Sequence, residues 1–91
     1  MDAATLLQVG YLDQLVPRAA LDETVTAFTA HLASLSPLSL QISKKALNGI
    51  CRGDLDLGWL KRETVACFAT QDAAEGLAAA QEKRPPVFKG R

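Results

Sequence analysis

Apolar residues along this chain recur at helical spacing rather than at strand spacing. Residues 18–35 carry a stripe at Leu21, Val25, Phe28, Leu32 and Leu35, separated by four, three, four and three positions, as on one face of an amphipathic helix. Residues 38–51 carry two lines, one through Leu38, Ile42, Ala46 and Ile50 and a second through Leu40, Leu47 and Cys51. Two lines predict a helix covered on two sides. In residues 55–69, Leu57, Leu60, Thr64, Cys67 and Phe68 are placed toward a core. Trp59 falls off that line and predicts a second contact surface.

The punctuation between these stretches sets their bounds. Asp2 is placed to cap a short helix over residues 3–9 that stops at Gly10. Residues 11–16 read as an extended connector ended by Pro17, which can also begin the next helix. Asp22 and Glu23 favour the positive end of that helix. Ser36 and Pro37 break it and start another, serine as cap and proline in the first turn. The string Arg52-Gly53-Asp54 reads as a turn that holds the glycine stop and the next cap. The last helix starts at Thr70 or Asp72, with Asp72 and Glu75 at capping-box spacing. It ends before Pro85, because proline pushes the preceding residue out of the helical region. The expected fold is all-α, a small bundle of about four to five helices.

A chain of 91 residues holds one small domain, and such a chain buries only about 60–65% of its unfolded surface. With 48% hydrophobic residues the composition is that of a folded chain, and several helices carry more apolar face than so few residues can cover. That surplus predicts a partner or a further domain. The formal charge is zero, so no global field draws in nucleic acid or a membrane surface, and any electrostatic role must be local. No apolar run reaches the roughly 20 residues of a membrane span. The start, MDAATLLQV, has no signal-peptide pattern. Cys51 and Cys67 are too far apart for a CxxC pair and read as free thiols in a reducing, cytoplasmic setting.

No motif bids for catalysis or for a metal. His31 sits on an amphipathic helix with no thiol or carboxylate beside it, and the glycines occur singly rather than in a phosphate loop. Most carboxylates fall in first helical turns, where the dipole accounts for them. Lys44 and Lys45 read as a solvated helix face. The chain end differs. Lys83, Arg84, Lys89 and Arg91 surround Val87 and Phe88, a pair too apolar for a free tail. Docking of that pair predicts that the neighbouring cations are held in place.

These residues bring a family into view. SPLSLQISKKALNGICRGDLDLGWLKRE followed by TQDAAEGLAAAQEKRPPVFKGR resembles the C-terminal segment of the enoyl-CoA hydratase/isomerase (crotonase) family. That family shows Pro-Leu-Ala-Leu with a Lys-Lys/Arg-Ala-Leu sequel, here Pro37 to Leu40 and Lys44 to Leu47. Its closing motif runs Glu-Gly, Ala-Phe, Glu-Lys-Arg, Pro, Phe at fixed spacing, here within Asp72 to Phe88. VGYLDQLVP is similar to the segment that leads into these helices, so the resemblance covers nearly all of the chain.

The resemblance implies that residues 1–91 are a helical assembly and lid segment, with the family's N-terminal catalytic spiral absent. In the family that spiral supplies the two backbone N–H groups of the oxyanion hole. It implies no catalytic residue here and no required cofactor, with a coenzyme A thioester as the full-length parent's substrate in fatty-acid or acyl-CoA metabolism. It implies a homo-oligomer, trimer or hexamer, with self-association of the segment and no nucleic-acid or membrane partner. Lys83 resembles a family lysine that approaches a CoA phosphate from a neighbouring subunit. Ala80 stands where the family has an aromatic that can line the pocket, so stacking from that position is lost. Two other readings compete, a stand-alone helical interaction module without CoA chemistry and an independent CoA-binding domain.

Overall fold

The computed structural model describes residues 1–91 and contains helices and connectors without a strand. The chain divides into two units, Met1–His31 and Leu32–Arg91.

In the first unit, Asp2 caps α1 (Ala3–Gln8) by accepting the Thr5 N–H at 2.8 Å. The chain turns at Gly10, and the Tyr11 and Leu12 amides both donate back to the Leu6 carbonyl. Residues 11–16 carry no helix, as the connector reading expects. One 3-10 turn, Arg18–Ala20, precedes α2 (Leu21–Ala33), so the long helix predicted over 18–35 is regular only in its middle. Thr24 helps the junction by donating its hydroxyl to the Ala20 carbonyl at 2.7 Å. No residue of this unit is buried, and Leu21, Val25 and Phe28 of the predicted stripe stay about half exposed.

The second unit holds α3 (Pro37–Arg52), α4 (Leu57–Phe68) and α5 (Gln71–Glu82). Helix α3 packs on α4, and α4 on α5. Ser36 caps α3 with Pro37 in its first turn. Gly53 closes it in the left-handed region at φ 74, where a side chain would clash with the following carbonyl. The Asp54 amide then reaches the Gly49 carbonyl and the Gly53 amide the Ile50 carbonyl, a Schellman closure.

Two cap assignments need correcting. Asp54 is not the cap of α4. It pairs with the Arg52 guanidinium at 3.1 Å, while Asp56 accepts the Trp59 N–H at 2.9 Å. Asp72 and Glu75 form no capping box either. Thr70 caps α5, accepting from the Ala73 amide and donating to the Cys67 carbonyl. With the orphan amides already served, both carboxylates are free for other partners.

The core is thin. Ala46 and Ala79 are the buried hydrophobic residues, and no large side chain is fully buried. Of the two lines on α3, Leu38, Ile42 and Ala46 turn inward, whereas Leu47 and Ile50 remain 58% and 59% exposed. On α4, Leu60 and Cys67 are half-buried, but Leu57 and Phe68, expected in the core, are open to solvent. Trp59 does find its second surface. The Lys45 ammonium sits 4.3 Å from its ring centroid, so Lys45 belongs to a cation–π contact and not to a fully solvated face.

Candidate functional site

Two features of the second unit can bind something: a groove between α3, α4 and α5, and the C-terminal end of α5. The groove has a volume of about 740 Å³. Ile42 of α3, Cys67 and Phe68 of α4, Leu77 of α5 and Phe88 of the chain end make its lining largely apolar. Ser39, Ser43, Thr64 and Asp72 are among its polar members, and the Ser39 oxygen lies 3.7 Å from the Cys67 sulfur. Cys67 is half-buried and Cys51 exposed, and neither is in a disulfide. No three His, Cys, Asp or Glu side chains come together as a metal-holding group.

At the other end of α5, Lys83 stands in the left-handed region at φ 55 and ψ 41. It closes the helix as Gly53 closes α3. The Lys83 amide donates to the Ala80 carbonyl, and the Arg84 amide to the Ala79 carbonyl at 3.0 Å. A lysine there costs about 1 kcal/mol more than the glycine that usually fills this position. Lys83 is the chain's one non-glycine residue with positive φ. Its ammonium is exposed and makes no ion pair.

Arg84, next to it, is fully engaged. Its two terminal nitrogens meet the Glu75 carboxylate at 2.6 and 3.1 Å, and its Nε meets Glu82 at 2.6 Å. This fork-to-fork pairing is the strong form of an ion pair. Hydrogen bonds from Arg84, then from the Val87 amide, hold the Glu75 carboxyl down to about 2. The two carboxylates in turn raise the guanidinium above its usual range. Of the two adjacent cations, Arg84 is neutralised in place and Lys83 is left available. The expected docking of Val87-Phe88 is half met. Phe88 is half-buried beside Gly76, while Val87 docks through its amide and leaves its side chain outside.

Lys83 and the groove are separate features, since Lys83 does not line it. Ala80 is exposed on α5 and contributes nothing to the groove. Sequence reasoning missed Asp72 and Glu75 as anchors of the chain end. A threonine two residues ahead of Asp72, already able to cap, was the available signal.

No family model matches the chain. Along its whole length it is 33% identical to the Mycobacterium bovis protein named "Probable enoyl-CoA hydratase echA8", of which it covers 36%. It is also 33% identical over 92% of its length to the 2,3-dehydroadipyl-CoA hydratase of Escherichia coli, covering 34% of that protein. Its backbone superposes with a TM-score of 0.82 on a crystal structure of an enoyl-CoA hydratase from Bacillus anthracis. That match is at 31% identity and covers 98% of this chain and 35% of the other. The chain spans about a third of the length of the relatives it matches.

Proposed function

The chain belongs to the enoyl-CoA hydratase/isomerase family, matching the C-terminal portion of its members, and from that premise we propose that it is the helical assembly and CoA-site-covering segment of such an enzyme. The parent would add water across the double bond of a 2-enoyl-CoA thioester. The reacting groups would lie outside these residues, so the segment alone would not turn over substrate. The observation that carries the reading is the surplus of open apolar faces. Leu47, Ile50, Leu57 and Phe68 expose large side chains on a unit with almost no core of its own. Each is a surface that gains by being covered, at about 25 cal/mol per Å² of apolar area. A second copy of the segment, or the remainder of the parent, would supply the cover.

Within that assembly Lys83 would meet a CoA phosphate. A compact ammonium with no competing carboxylate suits a phosphate as a point charge. Its exposure and freedom from any ion pair leave it open to such a contact.

The test has two arms. Light scattering of the chain across a concentration series should show self-association, and a well-folded monomer at every concentration would count against the assembly role. Titration with CoA separates the remaining readings. Weak or absent binding by the free segment fits a covering element that holds one wall of the pocket. Tight saturable binding, lost in Lys83→Ala, would instead make the chain a CoA-binding domain in its own right. Hydration of a 2-enoyl-CoA by the purified segment would overturn the assignment of the reacting groups to other residues.

A further inference from the structure

Beyond Pro85 and Pro86 the chain turns back along α5, and its polar backbone groups find an unusual set of partners. The Val87 amide donates to Glu75 at 2.9 Å. The Lys89 and Gly90 amides donate to the two oxygens of Asp72 at 2.8 and 2.7 Å, and the Arg91 carbonyl accepts the Asp72 amide at 2.8 Å. Residues 87–91 thus run antiparallel to the first turns of α5, with no strand to pair with.

Asp72 is the informative residue. It is 3% exposed, and no cation pairs with it. Burying a carboxylate is costly unless hydrogen bonds replace its water. Helix capping does not require it, since Thr70 already caps α5. The partners it has are the two tail amides. Glu75 repeats the arrangement one turn later, accepting from both Val87 and Arg84. Between these two anchors lies Phe88. Its ring crosses Gly76, with Cε1 and Cζ at 3.5 and 3.7 Å from where a Cβ would stand, and it forms one wall of the groove.

We propose that residues 84–91 are a strap, latched by the Asp72 and Glu75 carboxylates, whose Phe88 closes one side of the α3–α4–α5 groove. Opening then needs only release of the latch, with the three helices left where they are. This inference does not depend on the CoA reading, because it concerns only contacts within residues 36–91.

Amide hydrogen exchange on the full chain tests the latch, and binding of the apolar dye anilinonaphthalene sulfonate reports the groove. In Asp72→Asn combined with Glu75→Gln, exchange at Val87, Lys89 and Gly90 should accelerate by about tenfold or more, the usual scale for a lost charge-assisted hydrogen bond. Amides of α3 and α4 should keep their protection, circular dichroism should be unchanged, and dye fluorescence should rise. Phe88→Ala separates gate from latch: dye binding should rise while Lys89 and Gly90 stay protected. Unchanged exchange at the tail in the double variant would overturn the latch. Loss of protection throughout α3 to α5 would show that the carboxylates serve the fold and not a strap. No added dye binding in Phe88→Ala would overturn the gate, whether or not the double variant folds.

Discussion

Replacing Gly49 and Gly76 by alanine in turn separates backbone propensity from packing. Both lie inside helices, α3 and α5, and propensity alone favours alanine at either place by about 0.8–1 kcal/mol. Their surroundings differ. A methyl built on Gly49 meets the Leu55 Cα at 3.1 Å and its Cβ and Cδ1 at 3.4 Å. The first of these is backbone, in a turn tied to the Gly49 carbonyl by the Asp54 amide at 3.0 Å, so it cannot swing aside. Overpacking of this kind costs about 1–3 kcal/mol, and after the propensity gain Gly49→Ala should lose about 0–2 kcal/mol. A methyl on Gly76 meets only the Phe88 ring edge, at 3.5 Å, which is ordinary contact. Gly76→Ala should therefore keep most of the propensity term and gain about 0.5–1 kcal/mol. Urea unfolding followed by circular dichroism, at one fixed protein concentration, measures both. In heat, each kcal/mol moves the midpoint of a domain this size by about 4–8 °C. Gly49→Ala as stable as Gly76→Ala would refute the claim that the Leu55 turn is rigid. A destabilised Gly76→Ala would show that Phe88 leaves no room for a methyl on α5.

Three further outcomes follow from the caps and the chain end. Asp56→Ala should cost about 1 kcal/mol as a lost helix cap, and Asp54→Ala, an exposed ion-pair partner, about 0–1 kcal/mol; equal losses in urea unfolding would return the cap to Asp54. Glu75, whose ordinary value is 4.5, is held to about 2 by Arg84 and the Val87 amide, with Lys89 adding a weaker pull. A carboxyl depressed on folding stabilises fully above its unfolded value and loses that contribution as pH falls through its folded one. The Glu75 anchor, with its Arg84 and Val87 bonds, should thus hold above pH 4.5 and release as pH falls toward 2, in step with the Glu75 carboxyl resonance; a midpoint near 4.5 would mean that the Arg84 fork is not formed in solution. Lys83→Gly should stabilise the chain by about 1 kcal/mol by relieving its left-handed backbone, while abolishing any CoA contact of the assembled parent; a loss of stability in thermal unfolding would remove the strain argument.

What was legible in the sequence was largely local. Asp2, Ser36 and Gly53 sit at helix ends that the chain itself specifies, because a cap and its amide lie three or four residues apart. The same locality explains the failure at Asp72 and Glu75. Two acids three apart at a helix start fit a capping box, and they fit equally well two anchors for a strand of chain passing alongside. Choosing between them needs Lys89 and Gly90, 17 and 18 residues from Asp72. Lys83 was named for its charge and its resemblance. Its left-handed backbone and the withdrawal of Arg84 into two carboxylates could be read only from the structure.

The apolar lines raise a different point, since spacing states which residues share a face and nothing about what covers it. On α3 the first line turns inward at Leu38, Ile42 and Ala46 and comes out again at Ile50, whereas Leu40, Leu47 and Cys51 of the second line are all exposed. On α4 the outward residues include Leu57 and Phe68, the latter 79% exposed although it follows the half-buried Cys67 directly. A helix has only one covered side where it has one neighbour, and α3 and α5 each pack on α4. The second line on α3 is then surplus to the unit's own packing. Solvent exposure of isolated apolar residues is ordinary, but a second line at helical spacing is a face. Its existence in the sequence and its lack of cover in the structure are the same apolar face seen twice, and that face is what supports the proposed assembly role.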